Sequence, residues 1–251
     1  MKKVKKLLKD LSKSGKKGVA WLIDPEKGID NRLRNFPELD GLDLILVGGS
    51  YSTGVGLDEL IREVKGMVSG VPICIFPGSQ GQVSAKAEAL LFLSLISGRN
   101  PEYLIGQQVK AASQIHESGL EVIPTAYILV NNGELLSVHS VSQTLPLLNS
   151  QVQLVSDTAL AGKFLGLSCI FLDAGSGASV PVGQEVIFEV KSLVKSPLIV
   201  GGGLDSRQKV KMAFDAGADL VVLGNRVEKD PEFLEEILQL KNAYNHLLKA
   251  D

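Results

Sequence analysis

The stretch PLIVGGGLDS, residues 197–206, followed within twenty residues by LVVLGN, residues 220–225, decides the fold. Each is a short β-branched run that ends abruptly in glycine, and between them lies an amphipathic segment. A buried strand, a tight turn, a crossover helix and another buried strand make a parallel unit. Outward from this pair the same rhythm extends along the chain. Eight strands are expected: Gly18 to Asp24, Asp43 to Gly49, Pro72 to Pro77, Ala89 to Ile96, Glu121 to Val130, Cys169 to Ala174, Pro197 to Gly201 and Leu220 to Gly224. Eight such units predict an α/β chain folded as a modified (β/α)8 TIM barrel, with residues 1–251 forming one domain.

Two connections depart from the rhythm. Only GSQGQVSAKAE separates the third strand from the fourth, too short for two turns and a helix of about eight residues or more. The third helix is therefore expected to be missing or replaced by a loop, which opens an apolar groove on the barrel's flank. After the fifth strand, Asn131 to Ser156 is rich in Asn, Ser and Gln and is expected to be a long loop able to act as a lid.

Composition narrows the classes. Of 251 residues, 45% are hydrophobic and 22% charged, with a formal charge of −2. That balance suits a globular enzyme and gives no support for nucleic-acid binding, which needs a basic stripe. Cys74 and Cys169 sit inside apolar runs and read as buried thiols of a reducing compartment, here the cytoplasm. Residues 1–17 carry eight lysines, interleaved with Val4, Leu7, Leu8 and Leu11 at helical spacing. The preferred reading of this basic amphipathic helix is a solvated cap on the bottom of the fold. Its alternative is peripheral contact with a membrane surface.

Chemistry is expected at the C-terminal ends of the strands. The turns Gly202-Gly203 and Gly224-Asn225 follow strands seven and eight, where glycines let backbone N–H groups converge on a phosphate. Strand six ends in Phe171-Leu172-Asp173-Ala174-Gly175-Ser176-Gly177, placing a carboxylate before a third glycine turn. Such a group can take a proton from a substrate hydroxyl. Asp24 and Ser50 at the tips of strands one and two offer hard oxygens of the kind that suits Mg²⁺, although both residue types also serve turns and caps. His116, His139 and His246 lack metal-ligand spacing and are expected to be structural or surface residues. No Gly-x-Ser-x-Gly elbow, Walker loop or dinucleotide fingerprint is present.

The ordered segments WLIDPEK, LILVGGS, PICIFPGS, NPEYLIGQQ, EVIPTAYILV, FLDAGSGA, LIVGGGLDSRQK and VVLGN resemble the geranylgeranylglyceryl phosphate synthase family over nearly the whole chain. The resemblance implies a Mg²⁺-dependent prenyltransferase joining geranylgeranyl diphosphate, or a related polyprenyl diphosphate, to the 3-hydroxyl of sn-glycerol 1-phosphate. It places the glycerol phosphate on Phe171 to Gly177, Gly202, Gly203, Gly224 and Asn225, with Asp173 catalytic. Asp24 and Ser50 would hold the metal. It also implies a homodimer or a ring of dimers. The chain departs from the family where Tyr-Leu-Glu is common and Phe171-Leu172-Asp173 stands, so a phenol is missing and the carboxylate arm is shorter. Leu22 stands where one branch has a lysine. The alternatives are a phosphate-binding barrel isomerase or lyase, disfavoured because Lys27 is the lone lysine near the strand tips, and a non-catalytic phosphate or lipid carrier.

Overall fold

The computed structural model describes residues 3–34, 36–49 and 56–248, with the backbone alone at 37 and 38. Eight parallel strands are Gly18–Ile23, Leu44–Val47, Ile73–Ile75, Ala89–Leu95, Glu121–Asn131, Cys169–Asp173, Leu198–Gly201 and Leu220–Leu223, hereafter strands one to eight. Each pairs with the next, and strand eight pairs with strand one, Gly18 opposite Leu220 and Trp21 opposite Leu223, so the sheet closes into a TIM barrel. Most strands end one or two residues short of the sequence reading. The Gly and Pro residues that flank the apolar runs turn the chain instead of extending the ladder.

Alternation within each strand sorts side chains into two cores. Residues such as Leu44, Leu46, Cys74, Leu91 and Phe171 fill the barrel, while Trp21, Ile45, Val47, Leu172 and Val200 pack outward against the helices. The helix Lys3–Ser14 belongs to the inner core, because Val4, Leu8 and Leu11 reach into the barrel's lower end. Its first turn is held there by Glu121, whose carboxylate accepts the N–H of Val4 at 2.9 Å and of Lys5 at 3.3 Å. Burying three such side chains stabilises the plug by roughly 5 to 9 kcal/mol at most. Lys3, Lys6, Lys9 and Lys13 stay exposed on the opposite face, as expected of a cap.

Outer helices follow most strands. They are Asn31–Arg34, Leu57–Met67, Gln107–Ser118, Val152–Phe164, Gln184–Val194, Arg207–Asp215, Asn225–Lys229 and Glu232–Leu247. None lies in residues 76–88, between strands three and four, so the short connection was a true signal of a missing helix. Before Gln107 the backbone widens into a π turn, Glu102–Gly106. The segment expected as a lid, Asn131 to Ser156, is instead built structure. It holds a short helix, Ser137–Ser142, and a two-residue strand, Leu147–Leu148, that pairs with the end of strand five, and the next helix begins at Val152. Local side-chain bonds order it. Asn131 donates to the carbonyls of Glu134 and Ala174, and its own Oδ1 accepts the N–H of Gly133 and Glu134. Among the described residues no helix is long and apolar enough to cross a membrane.

Candidate active site

The centre of the upper barrel mouth is Asp173. Two residues of alternation after Phe171, its side chain turns inward at the end of strand six and is largely buried. Oδ1 accepts the N–H of Gly175 at 2.8 Å, and Oδ2 accepts the phenol of Tyr127 at 2.5 Å. Burial raises the Asp173 pKa above the ordinary carboxylate value, against the pull of the Tyr127 hydroxyl, the Gly175 amide and His139. A carboxylate destabilised in this way is a better proton acceptor than an exposed one.

Phe171 lies beneath it, in contact with Phe76 and Tyr127 at ring-centroid separations of 5.3 and 5.5 Å. It floors the site and does not line the rim. Leu172 and Ala174 point the other way, into the layer between barrel and helices, leaving only their backbone for a ligand.

Two of the glycine turns meet at this carboxylate. Gly202 has φ +78°, and a Cβ there would stand 2.6 Å from Asp173 Oδ1 and from the Gly175 nitrogen. The turns after strands six and seven therefore touch, and only glycine allows it. Gly203, with φ +67°, lies equally close to the backbone of Ala178 and Pro181, whereas Gly224 faces open space. Asn225 ties the eighth turn to the sixth through Ser176, at 3.4 Å, and to the first strand's tip through Lys27, at 2.6 Å. Lys27 also pairs with Glu228 at 3.6 Å. Gly177 is at the exposed edge of the same turn.

Asp24 sits against the turn after strand two. A Cβ on Gly49 would meet the Asp24 carboxylate oxygens at 2.8 to 3.1 Å, and Asp24 Oδ1 accepts the N–H of Glu26 at 3.1 Å. Ser50 lies outside the described residues. Gln82, fully buried, spans the neighbouring turns, donating to the Gly49 carbonyl at 2.9 Å while its Oε1 accepts the Gly78 N–H at 3.0 Å.

From this mouth an apolar cavity with about 730 Å³ of open space runs down the flank left uncovered by the missing helix. Strand four and the antiparallel helix after it form its walls, from Tyr103, Leu95 and Tyr127 near the top to Leu90 and Ile115 lower down. Leu90 to Leu95 spans roughly 17 Å at strand rise.

Sequence reasoning missed Tyr127, Lys27 and His139. Tyr127 was legible: alternation in PTAYILV puts it on the inner face, opposite strand six. His139 was expected to be structural or a surface residue, like His116 and His246. The latter two are exposed, but His139 is 3% exposed and faces the charge of Asp173.

Residues 14–241 match the model of the PcrB family. The chain belongs to this family. It is 41% identical over 246 residues to a geranylgeranylglyceryl phosphate synthase of Spirosoma linguale, covering 95% of this chain and 97% of that protein. The enzyme of the same name from Pyrococcus horikoshii is 39% identical, covering 89% of both. The crystal structure of (S)-3-O-geranylgeranylglyceryl phosphate synthase from Thermoplasma acidophilum in complex with substrate sn-glycerol-1-phosphate superposes with a TM-score of 0.84. Its identity is 32%, with 92% of this chain and 96% of that chain covered.

Proposed function

We propose that this PcrB-family chain is a prenyltransferase of ether-lipid synthesis, joining geranylgeranyl diphosphate or a related polyprenyl diphosphate to the 3-hydroxyl of sn-glycerol 1-phosphate. The observation that carries the reading is one arrangement: a buried carboxylate at the glycine turns of strands six and seven is joined through Tyr127 to an apolar groove. A relative of matching fold binds sn-glycerol 1-phosphate.

The turns Gly175 to Gly177, Gly202-Gly203 and Gly224-Asn225 cradle the phosphate through backbone N–H groups other than that of Gly175, which binds Asp173, with Ser176 and Asn225 adding polar side chains. Phe171 contributes the floor, and Leu172 and Ala174 contribute main chain. The prenyl tail lies in the groove between strand four and the Gln107–Ser118 helix. The glycerol hydroxyl oxygen forms a bond to the first prenyl carbon as the bond from that carbon to the diphosphate breaks. Diphosphate leaves with the electron pair, and the hydroxyl proton passes to Asp173. Apolar walls keep water from the allylic carbon while it carries positive charge.

The Asp24 carboxylate, packed on the turn that leads to Ser50, is a hard oxygen donor at the mouth and fits Mg²⁺, which completes its shell with water and phosphate oxygens. When bound, Mg²⁺ neutralises charge on the departing diphosphate. Buried free thiols at Cys74 and Cys169 suit work in the cytoplasm. Exposed Phe164, Leu165 and Phe188 suit a homo-oligomer.

Incubation with radiolabelled sn-glycerol 1-phosphate, geranylgeranyl diphosphate and Mg²⁺ tests the reading. The expected product is an organic-extractable ether lipid that requires both substrates. Release of diphosphate without such a product, or no product at all, overturns it.

A further inference from the structure

His139 carries a buried polar atom with no partner among the described residues. Its ring is 3% exposed, its Nδ1 accepts the N–H of Leu136 at 3.0 Å, and its Nε2 meets no hydrogen-bonding group. The bond at Nδ1 fixes the tautomer. Burial lowers the histidine's pKa, so the ring is neutral at pH 7, and with Nδ1 accepting, its proton lies on Nε2. The unmatched atom is therefore a donor. Leaving such a donor unbonded costs about 1 to 3 kcal/mol, so a native protein keeps one mainly where something else will meet it.

The surroundings indicate what that is. His139 stands in the short helix that closes over the turn after strand six. There Leu136 and Val138 lie on Gly175, so near that a Cβ on that glycine would meet them at 2.8 and 3.5 Å. Asn131 ties the same segment to the carbonyl of Ala174 at 3.1 Å. The charged group coupled to His139 is Asp173, and each oxygen of that carboxylate makes one of the two bonds it can accept. The segment that carries this free donor thus packs on Gly175, whose N–H binds Asp173 Oδ1, a carboxylate with free acceptor capacity. A hydroxyl satisfies both, since it accepts through oxygen and donates through hydrogen; water does so in the free enzyme, and a substrate alcohol takes the same two bonds when it displaces that water.

We propose that His139 is a substrate-binding residue that donates its Nε2–H to the alcohol oxygen whose proton Asp173 accepts. This rests on the prenyl-transfer reading for the identity of the alcohol, the free hydroxyl of glycerol phosphate. The two bonds fix two directions at that oxygen and its carbon a third, leaving one lone pair for the incoming prenyl carbon. His139 acts by orientation, and no proton moves to or from it.

The test separates the two ring nitrogens. In His139→Asn the amide oxygen can replace Nδ1 as acceptor for Leu136, but nothing reaches the Nε2 position. In His139→Gln the longer amide can place an N–H there. Calorimetric titration of each variant with sn-glycerol 1-phosphate, and separately with inorganic phosphate, reads the contact without requiring turnover.

The expected result for Asn is a Kd for glycerol phosphate raised about 3- to 10-fold, the scale of one hydrogen bond. Its inorganic phosphate affinity and melting temperature stay unchanged, and Gln remains within about twofold of wild type for both ligands. Wild-type affinity of the Asn variant for glycerol phosphate overturns the proposal, as does equal weakening toward both ligands or an equal loss in Gln. If wild type binds glycerol phosphate but forms no ether lipid, the prenyl-transfer reading fails while the His139 contact is still decided by these titrations.

Discussion

Replacing Asp173 by Asn should uncouple activity from stability in opposite directions. In the wild type, Oδ1 accepts from the Gly175 N–H and Oδ2 from the Tyr127 hydroxyl. An Asn keeps both bonds: its oxygen accepts from Gly175, and its NH₂ donates to the phenol oxygen, which can accept as readily as donate. The fold should therefore be undisturbed, but the amide cannot take a proton. Losing a general base costs typically 10²- to 10⁴-fold in turnover, about 2.7 to 5.5 kcal/mol of barrier.

The stability effect follows from the raised pKa of the buried carboxyl. A folded-state pKa above the unfolded one, about 3.9, favours the protonated form in the fold. That contribution is complete below the unfolded value and is lost as pH rises through the folded value, so at pH 7 the ionised Asp173 weighs against folding. The variant should melt at or above the wild-type temperature at pH 7, and the difference should shrink toward acid pH. Prenyl transfer from labelled geranylgeranyl diphosphate and thermal melts followed by circular dichroism at pH 4 to 8 measure both. Turnover above a tenth of wild type, or a melting temperature several degrees lower at pH 7, would refute the role given to this carboxylate.

Tyr127→Phe removes a bond that lowers the Asp173 pKa, so the acid limb of the kcat/KM profile should move to higher pH. A pH series reads this, and an unmoved limb would mean that the phenol does not act on the base. Asp24→Asn should cut turnover by at least 100-fold at saturating Mg²⁺ while the melting temperature stays within a few degrees, the pattern expected when a metal ligand is lost and the core is kept. Ile115→Trp fills the lower groove and should raise the KM for geranylgeranyl diphosphate at least tenfold. Geranyl diphosphate should be much less affected, as competition between the two substrates will show.

The sequence was most informative where one physical constraint acts locally. Strand-length apolar runs ending in Gly fixed the barrel, and eleven residues between strands three and four excluded a helix there. The carboxylate and the glycine turns were legible for the same reason, since strand ends in this fold form the mouth. What escaped depends on distant pairing. Lys27 acquires its partners only when strand eight closes on strand one, bringing Asn225 within 2.6 Å. His139 sits in a polar segment of low hydrophobic periodicity, ordered by Asn131 and by strand pairing at Leu147–Leu148. Both residues stand out in the sequence, but neither set of partners leaves a mark in a linear reading. Phe171 was assigned to the ligand by resemblance to the family, and alternation with its aromatic neighbours puts its ring in the floor.

The central claim is that glycerol phosphate lies across the turns of strands six to eight with its free hydroxyl at Asp173. A crystal of the protein grown with sn-glycerol 1-phosphate tests it directly. The account predicts phosphate density within hydrogen-bond distance of the backbone N–H groups of the Gly202-Gly203 and Gly224-Asn225 turns, and a glycerol oxygen within about 3 Å of the Asp173 carboxylate. Phosphate bound elsewhere, or a glycerol turned away from Asp173 toward solvent, would contradict it.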